Sequence, residues 1–266
     1  MSLNGKTALI TGSSRGIGRG IALKLAELGV KIAIHYYQNE LAAKESLAQV
    51  RERGSDGFII QADISRPEEV SHLFKQTQSE FKTLDIFVSN ARPEAHTFYK
   101  TPMDITLKEW DIAFNSQSKA FLVGVQEASK IMHEGSRIIA ITYSAGSRTG
   151  SWQPWVGMGS AKAAVETLMR YFAVALASRG ITVNAISPGP TQDGLLDSLP
   201  EQTQDLIKEW HTQWSPMGRL GTPADIGNAV ALLCMEEASW ITGQIICADG
   251  GISLMNPELP LELQLG

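Results

Sequence analysis

The regular alternation of short apolar runs with longer amphipathic segments is the feature that most constrains the fold. Seven runs are rich in Ile, Val and Leu on both faces, as strands covered by helices on both sides must be. Strands that alternate with helices predict an α/β fold, a doubly wound parallel sheet of about seven strands with helices on both faces. The predicted strands cover residues 7–11, 31–36, 58–62, 85–89, 137–142, 182–187 and 244–248.

No repeat or low-complexity linker divides the sequence, so we expect a single domain over residues 1–266. The longest interruption of the alternation, residues 190–216, contains one helical stretch at 201–213. An insertion beyond the carboxyl end of a strand is where a substrate lid commonly lies. Trp210 and Trp214 either cover the substrate from this lid or pack the lid on the body of the protein.

Composition excludes several classes of function. The 23 basic and 28 acidic residues are scattered and give a formal charge of −5, which does not predict nucleic-acid binding. We find neither a secretory start nor an apolar run of about 20 residues, so we expect a cytoplasmic protein without a membrane span. The two cysteines predict no disulfide framework, and the five histidines lack ligand spacing, so no metal is expected.

The first predicted strand ends in a glycine-rich turn, TGSSRGIGRG. Gly12, Gly16 and Gly18 lie between a strand and a helix, where glycines permit a tight turn and close approach of backbone N–H groups to a pyrophosphate. This context predicts a Rossmann-type dinucleotide site. A turn that only packs the helix on the strand is the alternative.

Polar residues end the third and fourth predicted strands. Asp63 accepts the adenine amino group or caps the segment after Ser65, and Asn90 faces the nucleotide crevice or serves as a turn residue. The second strand is followed by Gln38 within YYQN, without the acid that binds the ribose of NAD. Arg15 is the one nearby cation that could pair with the 2′-phosphate of NADP. The residues by themselves leave NAD and NADP open.

Taken together, these motifs resemble the short-chain dehydrogenase/reductase superfamily over essentially the whole chain. The similar segments are TGSSRGIG, AKAAVETLMRYFAVALASRGITVNAISPGP and ADGG. The resemblance implies that Lys162 binds the ribose hydroxyls and orients the nicotinamide. It also implies cofactor contacts at Ile17, Ile64, Ala91, Pro188, Gly189 and Thr191.

A narrower resemblance points to the enoyl-acyl carrier protein reductases of bacterial fatty-acid synthesis. YYQN, ITYSAGSR, the MGSAK run, VNAISPGP and DGGISLMNPELPLEL are similar to segments of that family. The resemblance implies that Gln38 contacts the adenosine, that NAD(H) is favoured with NADP(H) possible, and that the protein forms a homotetramer. It further implies an acyl thioester substrate on acyl carrier protein.

The active-site tyrosine of these families is replaced. Most of the superfamily has it four residues before the lysine, where this chain has Met158, and enoyl reductases have it seven residues before, where this chain has Trp155. Tyr143 stands at the position of the superfamily serine, as in enoyl reductases, and Ser144 follows it. Both tyrosine positions are given relative to Lys162.

Three further positions depart from the superfamily pattern. Gln117 aligns with the helix asparagine, Arg92 replaces a glycine after the fourth strand, and Asp193 replaces a threonine near the pyrophosphate. Arg92 lines the pocket or belongs to a solvated loop. These changes argue against an ordinary alcohol dehydrogenase.

Enoyl reduction tolerates the loss of a tyrosine better than ketone reduction, because the enolate oxygen needs a hydrogen-bond donor more than a proton. We therefore predict an NAD(P)H-dependent enoyl-acyl carrier protein reductase in which Lys162, Tyr143 and Trp155 are catalytic. Trp155 as a packing or interface residue, and Tyr143 as a core phenol, are the alternatives. A 3-oxoacyl or hydroxysteroid-type ketone reductase, and a nucleotide-binding pseudoenzyme or scaffold, are the rival functions.

Overall fold

Seven parallel strands form one sheet. The computed structural model describes residues 3–143, 153–192, 196, 201–255, 261 and 264. The strands are β1 Thr7–Ile10, β2 Lys31–Tyr36, β3 Gly57–Gln61, β4 Ile86–Ser89, β5 Arg137–Ile141, β6 Thr182–Pro188 and β7 Ile245–Ala248. Their order in the sheet is β3-β2-β1-β4-β5-β6-β7, and every neighbouring pair is parallel.

Helices follow the strands as the alternation of the sequence predicts. The described helices are α1 Gly16–Glu27, α2 Glu40–Glu52, α3 Pro67–Phe81, α4 Leu107–Phe114, α5 Ala120–Ile131, α6 Val156–Ala177, α7 Glu201–Trp214 and α8 Pro223–Cys234. The predicted Rossmann-type fold is confirmed, and each predicted strand begins and ends within one residue of the observed strand. None of the helices in these ranges combines the length and apolar character needed to cross a bilayer.

Apolar side chains on the two faces of the sheet form two separate cores. On one face Ile10 and Ile34 pack against α1, α2 and α8, and on the other Leu9 and Ala33 pack against α3, α5 and α6. Neighbouring residues of a strand point to opposite faces, so a strand buried on both sides must be apolar at every position. This double burial explains the continuous apolar runs of the sequence.

The predicted lid segment contains α7, which matches the predicted helix at 201–213 to one residue. At the start of this segment Thr191 forms an isolated parallel bridge with Gly221. At its end Ser215 is buried, and a Cβ added at Gly250 would lie 2.8 Å from the Ser215 Oγ. The segment is therefore anchored beside the carboxyl ends of β6 and β7.

Helices α1 and α8 cross at two glycines, which allow their backbones to approach closely. A Cβ added at Gly20 would lie 2.4 Å from the carbonyl oxygen of Pro223, and one added at Gly227 would lie 2.7 Å from the carbonyl oxygen of Gly20. Both distances are far inside van der Waals contact and involve backbone atoms, which cannot rotate away. This crossing fixes α1, and with it the glycine turn at its start.

The substitution Gly20→Ala should lower the free energy of unfolding by about 3 kcal/mol, because the new methyl group forces α1 away from α8. Urea denaturation measures this change. Gly159→Ala in α6 is the matched control, since its Cβ would meet nothing closer than the Trp155 Cδ1 at 4.0 Å. The control should gain up to about 1 kcal/mol from helix propensity. Equal stabilities of the two variants would contradict the close crossing.

Candidate active site

The carboxyl ends of the central strands meet at one edge of the sheet. β1 pairs with β2 on one side and with β4 on the other, so the chain crosses the sheet at this point. In open α/β sheets the crevice at such a crossing is where ligands bind. The glycine turn follows β1, Asn90 follows β4, and Tyr143 follows β5 at this edge.

The glycine turn fits a dinucleotide phosphate. Gly12 and Gly16 have φ of 67° and 54°, a region that favours glycine, and a Cβ at Gly18 would lie 2.2 Å from the carbonyl oxygen of Gly12. Helix α1 begins at Gly16 with no acidic residue in its first turn, and no side chain of Arg15 caps it. The N–H groups and the positive end of the helix dipole are therefore suited to an anion. Ile17 lies in this first turn.

Asn90 and Ala91, which directly follow β4, support the glycine turn. The Asn90 side-chain amide donates to the carbonyl oxygens of Thr11 at 2.9 Å and Gly12 at 3.2 Å. In return the Thr11 hydroxyl accepts from the backbone N–H groups of Asn90 and Ala91. Asn90 and Ala91, both predicted cofactor residues, therefore lie directly against the turn.

A buried histidine that the sequence analysis considered only as a metal ligand also contacts the turn. His35 in β2 is 1% exposed; its Nδ1 accepts from the Gly12 N–H at 2.9 Å, and its Nε2 lies 3.0 Å from the carbonyl oxygen of Ala62. Burial lowers the pKa of His35 to about 4. A polar residue inside an otherwise apolar strand was the signal that could have identified it.

Arg15 interacts with Glu94, a residue to which no sequence motif pointed. Its guanidinium forms an ion pair with the Glu94 carboxylate at 2.7 Å, and both side chains are more than half exposed. This pair joins the glycine turn to the loop after β4. Gln38 is exposed just beyond β2, on the side of the crevice where a Rossmann-type site receives the adenosine.

Asp63 and Ile64 follow β3, and the Asp63 carboxylate makes local bonds. Its Oδ1 accepts from the backbone N–H of Ser65 at 2.9 Å and from the Ser65 hydroxyl at 2.7 Å, and Arg66 lies 3.6 Å from Oδ2. These bonds are local to the turn before α3, whose N-cap residue is Arg66. Ile64 is half-buried and packs against the second core.

The end of β6 lies at the same edge of the sheet, on the other side of β5 from β1 and β4. Pro188 is its last residue, and the Gly189 N–H donates to the carbonyl oxygen of Ala248 at 3.0 Å. A Cβ at Gly189 would lie 2.6 Å from the Asp249 Cα, so glycine is required by close backbone packing. Thr191 is 8% exposed. Ser144 and Asp193, both noted in the sequence, lie outside the described residues.

Lys162 is a buried cation at the end of β5. It is 8% exposed, and its Nζ donates to the carbonyl oxygen of Ile141. Burial and, to a lesser extent, the charge of Arg92 lower the pKa of Lys162 to about 7, and Glu166 acts in the opposite direction. The Glu166 carboxylate accepts from the Thr142 hydroxyl at 2.7 Å. Arg92 is half-buried, and its guanidinium donates to the carbonyl oxygen of Pro93 at 3.1 Å.

The residues in the two tyrosine positions belong to a small aromatic cluster. Met158 is 1% exposed and packs with Phe98 and Trp155, and the Phe98 and Trp155 rings meet edge to face with centroids 5.0 Å apart. Trp155 is the N-cap residue of α6, and Met158 and Lys162 lie within the helix. Trp155 is 6% exposed, and its ring makes the contacts that the packing alternative predicts.

Tyr143 lies beside this cluster. Its ring centroid is 5.7 Å from that of Trp155, so the structure brings these two predicted catalytic residues together. Burial raises the pKa of Tyr143, so its phenol keeps the proton near neutral pH and acts as a hydrogen-bond donor. Tyr143 is at the end of β5, the strand whose last carbonyl accepts from Lys162.

Gln117 lies in a π-helical turn, Asn115–Lys119, that joins α4 to α5. Its side-chain amide donates to the carbonyl oxygen of Ala91 at 3.0 Å, and it is 3% exposed. Single π-turns within helices are frequently functional because they turn a side chain out of the regular spacing. The sequence alignment identified Gln117, but the turn itself has no signal in the hydrophobic pattern.

Comparison with known proteins identifies the family. A family model described as enoyl-(acyl carrier protein) reductase matches residues 12–253. Tetrahydroxynaphthalene reductase PfmaG of Pestalotiopsis fici is 38% identical over 258 residues, which cover 93% of this chain and 92% of that protein. The chain belongs to the short-chain dehydrogenase/reductase superfamily, and it is an oxidoreductase that uses a nicotinamide cofactor.

Two further relatives bear on the reaction. Versicolorin reductase 1 of Aspergillus parasiticus is 34% identical over 257 residues, covering 94% of this chain and 97% of that protein. The crystal structure of the angucycline C-6 ketoreductase LanV with bound NADP has a TM-score of 0.86 and 36% identity, covering 96% and 98% of the two chains.

These relatives correct two expectations. The ketone-reductase alternative agrees with them better than the predicted enoyl reductase, whose fatty-acid role they do not support. The NADP of the solved relative also disagrees with the expected preference for NAD, which rested on the resemblance at Gln38.

The substitution Lys162→Met should abolish turnover and raise stability at pH 7. The folded pKa of about 7 lies below the ordinary 10.5, so the unfolded chain binds the proton more tightly and wild-type stability rises between these pH values. Removing the buried charge while losing the bond to Ile141 should give a net gain of about 2 kcal/mol at pH 7.

Thermal unfolding from pH 7 to pH 10 checks this prediction, and the stability advantage of Lys162→Met should shrink as the pH rises. The exposed Lys75 in α3 supplies the matched control, Lys75→Met, which should leave both turnover and stability unchanged. A lower melting temperature for Lys162→Met at every pH would show that the bond to Ile141 outweighs the cost of burial.

Proposed function

We propose that the protein is an NADPH-dependent ketoreductase that reduces a carbonyl group on a polycyclic aromatic substrate. The observation that carries this proposal is an aromatic face on α7, the helix of the predicted lid. Trp210 and Trp214 stack there with ring centroids 5.4 Å apart and planes 19° apart. An open groove on the same helix has a volume of about 420 Å³, and its lining includes Leu206, Ile207, Trp210 and His211.

The size and chemistry of this groove suit a planar ring system. Its volume falls within the roughly 300–1,000 Å³ typical of small-molecule sites. Indole faces bind flat aromatic rings by offset stacking. Thr191 and Ser215 anchor the ends of the lid segment beside β6 and β7, at the edge of the sheet where the glycine turn also lies. The names of the relatives, tetrahydroxynaphthalene reductase, versicolorin reductase and angucycline ketoreductase, support the same substrate class.

Ketone reduction needs a proton on the carbonyl oxygen. When bound, the reduced nicotinamide supplies a hydride to the carbonyl carbon. With Met158 in the usual tyrosine position, Tyr143 is the phenol at the end of β5 that can donate to the oxygen. Its raised pKa keeps the proton in place until the oxygen becomes basic. Lys162, as the superfamily resemblance implies, holds the ribose.

Enoyl thioester reduction is the second candidate. Two observations favour it: the description of the family model and the buried Met158, because an enolate needs a donor rather than an acid. In this case Tyr143 would donate a hydrogen bond to the thioester oxygen. Acyl carrier protein would then be the carrier, and a homotetramer remains the expected assembly in either case.

Purified protein should oxidise NADPH with an aromatic bicyclic ketone such as a tetralone, and not with a trans-2-enoyl thioester. Absorbance of the reduced cofactor measures both reactions. Tyr143→Phe should lower kcat for the ketone on the order of 100-fold, because the proton donor is lost. Tyr99→Phe, on the same aromatic cluster, is the control.

The outcomes separate the three functions. Turnover of the enoyl compound alone would replace the ketoreductase with the second candidate. An unchanged rate for Tyr143→Phe would remove Tyr143 as the donor. Nucleotide binding without any turnover, tested also with a 3-oxoacyl thioester, would favour the pseudoenzyme.

The proposed preference for NADPH rests on Arg15. None of the three residues directly after β2 is an acid that would repel a 2′-phosphate, and Arg15 is the N-cap residue of the helix that receives the pyrophosphate. Arginine is the side chain best suited to phosphate because its donors form a planar fork. The Glu94 carboxylate, 2.7 Å from Arg15, competes for the same donors. Glu94 therefore opposes NADPH binding to a small extent.

Arg15→Ala should weaken NADPH binding by roughly 10- to 100-fold and leave NADH binding nearly unchanged, because a charged hydrogen bond to the 2′-phosphate is lost. Glu94→Gln should strengthen NADPH binding by about 2- to 5-fold, which is the scale of an exposed ion pair. Calorimetric titration measures both. Glu127→Gln, which removes a similar ion pair to Lys130, is the control. Weaker binding of both cofactors to Glu94→Gln would show that the pair closes over the nucleotide.

A further inference from the structure

His35 contacts the glycine turn through both its side chain and its backbone. Its Nε2 lies 3.0 Å from the carbonyl oxygen of Ala62, which can only accept, so the proton of the ring is on Nε2. The lone pair on Nδ1 is therefore available to accept from the Gly12 N–H. The backbone N–H of His35 donates to the Ser13 hydroxyl, and its carbonyl accepts from the Ser13 N–H, both at 3.1 Å.

Ser14, the next residue of the turn, is held by side chains of α1 and α2. The Ser14 carbonyl accepts from the Arg19 guanidinium and from the Ser46 hydroxyl, and Arg19 also donates to Ser46. Backbone and side-chain groups of β2, with side chains of α1 and α2, thus hold Gly12, Ser13 and Ser14, which precede α1. The N–H groups that open α1 are positioned by these contacts and remain directed to the crevice.

We propose that His35 is a positioning residue for cofactor binding, whose neutral imidazole holds the Gly12 amide and so presets the phosphate-binding start of α1. The histidine does not touch the cofactor in this role. Its effect is exerted through Gly12, because a turn already in its binding conformation loses less entropy when the nucleotide binds. The inference concerns the nucleotide site and holds whichever carbonyl or enoyl group is reduced.

Protonation of His35 would reverse its effect on the turn. A protonated Nδ1 would present an N–H to the Gly12 N–H, and two donors repel. The charged group acting on the ring is Asp63, after β3, which raises the pKa, whereas burial lowers it more strongly, to about 4. The imidazole therefore stays neutral, and accepts from Gly12, over the physiological range of pH.

Two variants separate the acceptor from the bulk of the ring. His35→Asn keeps an acceptor oxygen within reach of Gly12, whereas His35→Leu keeps volume and removes the acceptor. Titration with NADPH should show binding weakened about ten-fold or more in His35→Leu, since the half-buried Gly12 N–H loses its partner, and within about three-fold of wild type in His35→Asn. In steady state the KM for NADPH should rise while kcat stays nearly constant.

Leu73→Ala is the control for a general loss of stability. Leu73 is fully buried in α3 on the other face of the sheet, so this variant should lower the melting temperature and leave NADPH affinity unchanged. Equal affinities of His35→Leu and Leu73→Ala would overturn the proposal. Affinity as weak in His35→Asn as in His35→Leu would also overturn it, because the shape of the ring would then matter rather than its acceptor.

A pH series keeps the proposal falsifiable even if His35→Leu fails to fold. NADPH affinity of the wild type should fall as the pH approaches 4, after correction for the folded fraction. His35→Asn lacks this imidazole but keeps the other groups that titrate near pH 4, so it should show a flatter profile. Identical profiles for the two proteins would overturn the proposal. Failure of wild-type protein to bind any nicotinamide nucleotide would refute the cofactor site itself, a result distinct from these.

Discussion

The site depends on the parallel arrangement of all seven strands, which puts every carboxyl end at the same edge of the sheet. β1 lies inside the sheet, with its sequence neighbour β2 on one side and β4 on the other, so a crevice opens where the helical connections diverge. Gly12 and Asn90 are distant in sequence and meet only because β1 and β4 are adjacent. Lys162 reaches the same edge from α6 through its bond to Ile141 in β5. Close crossing of α1 and α8 holds the glycine turn at this crevice.

Two buried bases at this edge show how the fold tunes chemistry. Burial lowers the pKa of both Lys162 and His35, because a charged group is poorly solvated inside the protein. The two groups play different roles because their hydrogen-bond partners differ. Lys162 remains a donor, with its Nζ fixed on Ile141, whereas His35 remains a neutral acceptor that holds Gly12. Unfavourable burial of such groups is common at functional sites and rare elsewhere.

Part of the nucleotide site was predictable because its residues stand at the ends of strands. The turn at Gly12 and the amide of Asn90 follow from motifs whose position in the fold is fixed by the apolar pattern, whereas Lys162 was identified through the family resemblance. His35 and Glu94 were missed because their partners lie on other elements. Asp63 was read as an adenine ligand or a cap, and its carboxylate bonds locally to Ser65, a contact that no spacing rule decides.

The sequence by itself determined the length of the strands and the nucleotide turn, because periodicity and glycine placement act over a few neighbouring residues. The resemblance to the family identified Met158 as the replacement of the usual tyrosine. Only the tertiary structure decided that Met158 is sealed beneath Phe98 and Trp155, that Tyr143 lies beside them, and that His35 supports the glycine turn. These contacts join residues from separate elements, and their geometry is set by how helices and strands pack against one another.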